Sequence, residues 1–118
     1  MSHSLDELKA KLTNAFEDAP DREMAFKAMF GGACAYCNGR VFASLSNVGL
    51  ALKIDALTAK TWLERGGKWL QHEPGAPVSK SYVVVPARVL GDESELARWV
   101  GQSVGHVLAL PAPKKRAR

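Results

Sequence analysis

Apolar positions repeat with a helical period near both ends of the chain. At the start, Ser4 and Glu7 form a capping-box pattern, and the apolar residues around it share one helical face: Leu5, Leu8, Leu12, Ala15 and Phe16. Near the end, Asp92 and Glu95 form a second capping pattern before a longer apolar stripe: Leu96, Trp99, Val100, Val104, Val107 and Leu108. These patterns predict one amphipathic helix over residues 4–18 and another that ends before Pro111.

Between the two helices the apolar period changes to two, which is typical of strands that are covered on one face. The alternating residues Met24, Phe26, Ala28 and Phe30 predict the first strand. The Asn38-Gly39 pair comes next, with a strand-like segment on each side of it. Because Asn-Gly supplies the positive φ angles that a two-residue hairpin turn requires, it predicts a β-hairpin.

Further elements follow the hairpin. Residues 49–54 and 81–85 have the composition of strands, and either Asp55 or Thr58 can cap a short helix that Gly66-Gly67 ends. Residues 68–80 predict an irregular segment, with Trp69 and Leu70 anchored in the core. The order is roughly α-β-β-β-β-α-β-α, which predicts an α+β fold: two layers, an antiparallel sheet with helices on one face.

Length and charge divide the chain into a domain and a tail. With 118 residues and 47% hydrophobic content, we expect one domain over residues 1–110 and a basic, disordered tail over residues 111–118. Four of the 16 basic residues are in the tail, so residues 1–113 hold 12 basic and 12 acidic side chains and are neutral. The tail residues Lys114, Lys115, Arg116 and Arg118 form either a solvated end or a nucleic-acid contact.

The composition also indicates a compartment. No run of about 18 apolar residues is present, and acidic residues interrupt the N-terminal segment where a signal peptide needs an apolar core. Two cysteines three positions apart fit a reducing compartment better than a secreted disulfide framework. We therefore expect a cytoplasmic protein that does not enter a membrane.

Cys34 and Cys37 allow three interpretations. A redox pair needs a thiolate with a lowered pKa, usually at a helix N-terminus, whereas this pair precedes a hairpin turn. A zinc site needs four ligands, and His3, His72 and His106 show no paired spacing that would complete one. Because strand positions i and i+3 point to opposite faces, we favour two structural cysteines and keep a redox or metal role as an alternative.

Gly31-Gly32 resembles part of a phosphate-binding loop, but neither a helix N-terminus nor a Gly-Lys-Ser/Thr sequence follows it. We expect the glycines to permit a close backbone approach and to set how Phe30 and Tyr36 enter the core. No Ser-His-Asp order is visible either. The sequence therefore predicts neither an enzyme nor a cofactor.

Three basic residues fall on different predicted strands. Lys27, Arg40 and Lys53 either form a modest basic patch on the sheet face away from the helices or are scattered surface charges. An uncovered sheet face, or a strand edge, also offers a route to a homodimer. A homodimer is therefore one expectation for the oligomeric state.

Several ordered motifs resemble the TfoX/Sxy N-terminal domain family. The first cluster, which surrounds the hairpin, consists of Lys27, Met29, Phe30, Gly31, Gly32, Tyr36, Asn38, Gly39 and Phe42. Residues 50–53, 81–86 and 95–99 fall where the family has a Leu-Tyr-Leu-Lys strand, a Tyr-x-x-x-Pro strand and a Leu-x-x-Trp helix. The resemblance spans roughly residues 4–108. Cys34 departs from it, since a small residue is usual there, and Cys37 occupies the position before the turn.

This resemblance implies a fold similar to that of secretion chaperones and a link to the regulation of competence genes in bacteria. It implies no catalytic residues, and the chain resembles the N-terminal module of such regulators without a second domain. We expect a non-enzymatic regulatory or adaptor module that binds protein partners. The alternative is a DNA-binding accessory factor that binds weakly through the tail.

Overall fold

Ten helices and strands make up the part of the chain that the computed structural model describes, which is residues 4–16, 22–29, 32–46, 48–71 and 75–110. In chain order they are α1 (Leu5–Ala15), β1 (Met24–Met29), β2 (Gly32–Cys37), β3 (Arg40–Ser46), β4 (Gly49–Lys53), α2 (Ala56–Glu64), β5 (Lys68–Leu70), β6 (Ser79–Val84), α3 (Ala87–Leu90) and α4 (Glu93–Ala109). The strands form one open antiparallel sheet in the order β1-β2-β3-β4-β6-β5. The predicted α+β fold is confirmed.

Local signals determine where most of these elements begin. The Ser4 hydroxyl accepts from the Glu7 N–H and the Glu7 carboxylate accepts from the Ser4 N–H, which completes the capping box of α1. Asp55 caps α2 through the Thr58 N–H, and Asp92 caps α4. The hairpin turn between β2 and β3 has φ of 53° at Asn38 and 82° at Gly39, as the Asn-Gly signal predicts.

The helices pack on one face of the sheet and enclose the core. The rings of Trp62 on α2 and Trp99 on α4 stack with centroids 4.4 Å apart and planes within 7°. Phe16, at the end of α1, stacks on Phe42 of β3 with centroids 6.1 Å apart. Trp62, Trp99 and Phe42 are each at most 2% exposed. Aromatic contacts therefore join three helices and the sheet in a single core.

Ser103 is a buried polar residue in the middle of the apolar stripe of α4. Its hydroxyl oxygen lies 2.6 Å from the carbonyl oxygen of Lys53 and 3.1 Å from that of Phe42. These carbonyls belong to the neighbouring strands β4 and β3. The hydroxyl has one hydrogen, so it donates to one carbonyl at a time, and that of Lys53 is the closer. The contact fixes the position of α4 over the centre of the sheet.

The second glycine of the Gly31-Gly32 pair permits a close approach of strands. A Cβ atom at residue 32 would collide with the carbonyl oxygen of Leu45 on β3, so the expected close backbone approach is present. The expectation that these glycines direct Tyr36 into the core is wrong, because Tyr36 lies on the opposite sheet face from the buried Ala35 and Cys37. Phe30 and Gly31 lie outside the described residues.

Residues 68–80 differ from the predicted irregular segment. They contain β5 and the beginning of β6, which pair with each other through a register shift between Trp69 and Leu70. Leu70 is buried and Trp69 is partly buried against the core, so these two anchors are confirmed. The four-residue helix α3 was not predicted, and the first helix ends at Ala15 instead of residue 18. None of the described helices is long and apolar enough to cross a membrane.

Candidate functional site: the outer face of the sheet

One surface of the sheet faces away from the helices, and we call it the outer face. Strand register defines a complete row across it: Lys27, Cys34, Ser44, Ala51, Val84 and Lys68. The neighbouring row contains Ala25, Tyr36, Val41, Lys53 and Tyr82. Alternation along β6 adds Lys80 to the side of Tyr82. No described helix packs on this face, so the fold leaves it open among the described residues.

The charged side chains that the strands place on the outer face all have the same sign. None of the six described strands contains an acidic residue, whereas Lys27, Lys53, Lys68 and Lys80 all lie on this face. Among the described residues, none of these lysines forms an ion pair. The helix layer differs, because the largely buried Glu95 carboxylate pairs with both Arg65 and Arg88 at 3.2 Å. The outer face is therefore a basic surface on a domain whose average charge is neutral.

Two tyrosines lie among these lysines. Tyr36 and Tyr82 are both half-buried, and Tyr82 is directly opposite Lys53 in the strand pairing. Burial raises the pKa of Tyr82 above its ordinary value, and the nearby Cys34 and Tyr36 raise it further. Ala51 of the same face is 0% exposed although no described helix packs on this face. The two rings thus belong to one continuous aromatic and aliphatic surface.

Arg40 does not belong to the predicted basic patch, so that part of the prediction is wrong. Its guanidinium donates to the carbonyl oxygens of Val107 at 3.1 Å and Leu108 at 2.7 Å, both in the last turn of α4. A cation there satisfies end-of-helix carbonyls and complements the helix dipole. Lys27 and Lys53 are on the outer face as predicted, and Lys68 and Lys80 join them.

The contact of Arg40 with α4 also fixes where the helix ends. A depression of about 270 Å³ is lined by Tyr36 and Lys53 of the sheet together with Leu110, the residue after α4. Leu110, the last described residue, therefore lies at the rim of the outer face. The basic tail residues Lys114, Lys115, Arg116 and Arg118 lie outside the described residues.

The cysteines lie on opposite faces of β2. Cys34 is on the outer face and partly exposed, and Cys37 is fully buried in the core. Burial raises the pKa of the Cys34 thiol, whereas reactive cysteines have a lowered one. Within the described residues, no group of three or more potential ligands could hold a metal ion. His106 is on α4, while His3 and His72 are outside the described residues.

A groove between α2 and α4 is a second candidate site. It has a volume of about 250 Å³, and Leu57, Arg65 and Arg98 are among the residues that line it. Its floor consists of the stacked Trp62 and Trp99, which are almost fully buried, and Arg65 is already paired with Glu95. The groove therefore offers one unpaired guanidinium among the described residues, at Arg98, and less unpaired charge than the outer face.

Sequence reasoning found part of this site and missed part of it. The motif residues Lys27, Met29, Gly32, Tyr36 and Phe42 lie on three adjacent strands, and Asn38-Gly39 forms the turn that joins two of them. Tyr82, Lys68 and Lys80 were missed as members of a common surface. The alternation along residues 79–84 is the signal that could have placed Tyr82 beside Lys80.

The structure defines a class: a two-layer α+β domain whose open antiparallel sheet presents a basic, tyrosine-containing face. The chain belongs to the TfoX N-terminal domain family, whose sequence profile matches residues 16–107. The match begins after α1 and covers most of the chain, including all six described strands. Membership supports a regulatory module of the competence-regulator type. Searches against curated proteins and against solved structures give no match.

Proposed function

We propose that this chain is a non-enzymatic regulatory module of the cytoplasm that works by binding a negatively charged partner on its outer face. The observation that carries this proposal is the segregation of charge: four lysines and no acidic residue on the strands of this face. Such a surface attracts anionic groups and accelerates their association. The family supports the regulatory role, and the outer face supplies a physical means of binding for it.

The alternative that the sequence raised, a DNA-binding accessory factor that uses the tail, is favoured by one specific observation. Leu110, the residue before the tail, lines the same depression as Tyr36 and Lys53 of the outer face. The tail adds four positive charges to a partner that is already bound there. In this second candidate function the tail supplies the main contact and the face assists it.

Replacement of the gene in its host tests the role of the outer face. A deletion strain would be complemented with the unmodified chain, with the double variant Lys27→Gln/Lys68→Gln, and with the helix-layer variant Lys9→Gln/Lys60→Gln as a charge-matched control. We expect the unmodified chain and the control to restore the transcript levels of the regulated genes and the face variant to fail. Equal restoration by all three, at equal protein levels, would rule out a function that depends on the outer face.

A further inference from the structure

We propose that the outer face binds single-stranded nucleic acid, with Tyr36 and Tyr82 stacking on bases and with the surrounding lysines contacting phosphates. This inference rests on the proposed function, because it names the partner of the same surface. It differs from the tail hypothesis, since the specific contacts come from the strands.

The size of the surface suits a short stretch of nucleic acid. The row from Lys27 on β1 to Lys68 on β5 crosses six strands, which corresponds to about 24 Å at the usual strand spacing. Lys53 and Tyr82 are opposite each other in the second row. A chain of several nucleotides laid across the strands would therefore meet positive charges at both edges and rings between them.

Charge decides between the occupants that this face could take. A second copy placed face to face would bring lysines against lysines, and like charges in such an arrangement are repulsive. The tail carries four positive charges of its own, so it is repelled from the face as well. A polyanion complements both the face and the tail. A homodimer through a strand edge remains compatible with this arrangement and stays a prediction.

The tyrosines favour a single strand among the polyanions. Bases of a duplex are stacked on each other and present phosphates to a flat surface, so duplex DNA would use the lysines and leave the rings unused. Single strands expose their bases, which stack on aromatic side chains beside a basic backbone track. An acidic peptide would pair with the lysines but gain no stacking. The half-buried rings of Tyr36 and Tyr82 are held by their neighbours, so little conformational freedom is lost on stacking.

The experiment measures fluorescence anisotropy of a labelled 12-nucleotide oligo(dT) with the full-length chain across a salt series. The variants are Tyr82→Leu, which removes the ring, Tyr82→Phe, which keeps it, and Lys27→Gln/Lys68→Gln, which removes two charges. The control is Lys9→Gln/Lys60→Gln on the helix layer. A duplex of the same length and a poly-glutamate peptide are the competing partners. Thermal unfolding followed by circular dichroism verifies that each variant is folded.

We expect Tyr82→Leu to weaken oligo(dT) binding at least about fivefold and Tyr82→Phe to restore it, because a stacked ring contributes that much per base. Removing Lys27 and Lys68 should lower the slope of log affinity against log salt by about 1.4, which corresponds to two phosphate contacts with a single strand. The control variant should bind like the unmodified chain. In nuclear magnetic resonance spectra, oligo(dT) should shift the signals of Tyr36 and Tyr82.

Three results would overturn the inference: no binding of oligo(dT) at low salt, equal binding by Tyr82→Leu and the unmodified chain, or tighter binding of the duplex or of poly-glutamate than of oligo(dT). These results are distinguishable from failure of the proposed function. If the transcript test still depends on Lys27 and Lys68 while oligo(dT) does not bind, the outer face is functional and its partner is of another kind.

Discussion

The two faces of the sheet use the same six strands for different purposes. Alternate residues of β2 show this most simply: Ala33, Ala35 and Cys37 are at most 3% exposed under the helices, while Cys34 and Tyr36 remain accessible on the other side. The inner face gains stability by burying apolar area. The outer face keeps charged and aromatic groups at the surface, where they are available to a partner. A single strand thus contributes to the core through one side and to the proposed binding surface through the other.

This comparison shows why an average charge is a poor guide to partners. Residues 1–113 are neutral overall, and taken alone this neutrality argues against a nucleic-acid partner. In three dimensions, the acidic residues of the described chain are outside the strands and the lysines of the strands share one face. An approaching ligand responds to the charge within about 10 Å, which is the Debye length at 0.1 M salt. Local segregation therefore matters more than the sum.

The largest expected difference in stability between the two faces comes from removing one aromatic ring from each. Trp99→Ala should lower the free energy of unfolding by about 3–5 kcal/mol, because it leaves a cavity beside Trp62. Tyr82→Leu on the outer face should lower it by about 1 kcal/mol or less. Urea denaturation followed by circular dichroism measures both values. Similar losses for the two variants would mean that the outer face is part of the core.

A smaller difference in stability is expected between two serine variants, one in the core and one on the outer face. Ser103 is buried and contacts two strand carbonyls, whereas Ser44 lies on the outer face. We expect Ser103→Ala to cost about 1–3 kcal/mol, since it removes the buried hydrogen bond between α4 and the sheet, and Ser44→Ala to cost about 0.5 kcal/mol or less. The same urea titration provides the measurement. A neutral Ser103→Ala variant would contradict the anchoring role of this hydroxyl.

The cysteines provide the smallest and most specific test. Because burial raises the pKa of Cys34, its thiol stays protonated to higher pH than a free cysteine. Its alkylation by iodoacetamide should therefore be slower than that of a free thiol below that pKa and should accelerate as the pH rises through it. Cys37, which is 0% exposed, should react only on unfolding. Mass spectrometry of peptides after timed alkylation measures both rates, and rapid alkylation of Cys34 near neutral pH would support the redox alternative instead.

Local sequence signals predicted a large part of this fold. The Ser4 and Glu7 capping box, the Asn38-Gly39 turn and the cap at Asp92 each depend on neighbouring residues only, so they can be identified without knowledge of the rest of the chain. The short strand β5 was missed because three residues carry no period, and its existence depends on pairing with β6.

The candidate site was harder to predict because it depends on distant contacts. Lys68 and Lys80 join the outer face only through strand pairing in a segment that resembled a loop. Arg40 was misplaced for a related reason. The register shift between β2 and β3 at Ala35 and Tyr36 and the arrival of the α4 end beside the hairpin both involve residues far apart in sequence. The periodicity of the sequence alone contains no information about the register shift or about where the end of α4 lies.

The contact of Arg40 with the last turn of α4 has a practical consequence for work with this protein. Because it holds the end of α4 near Tyr36 and Lys53, an affinity tag or fluorescent protein fused directly after Leu110 would begin close to the outer face. Such a fusion could shield the lysines sterically, and an acidic tag would compete for them electrostatically. Tags for binding measurements therefore belong at the N-terminus, and a result obtained with a C-terminal fusion should be repeated after the tag has been removed.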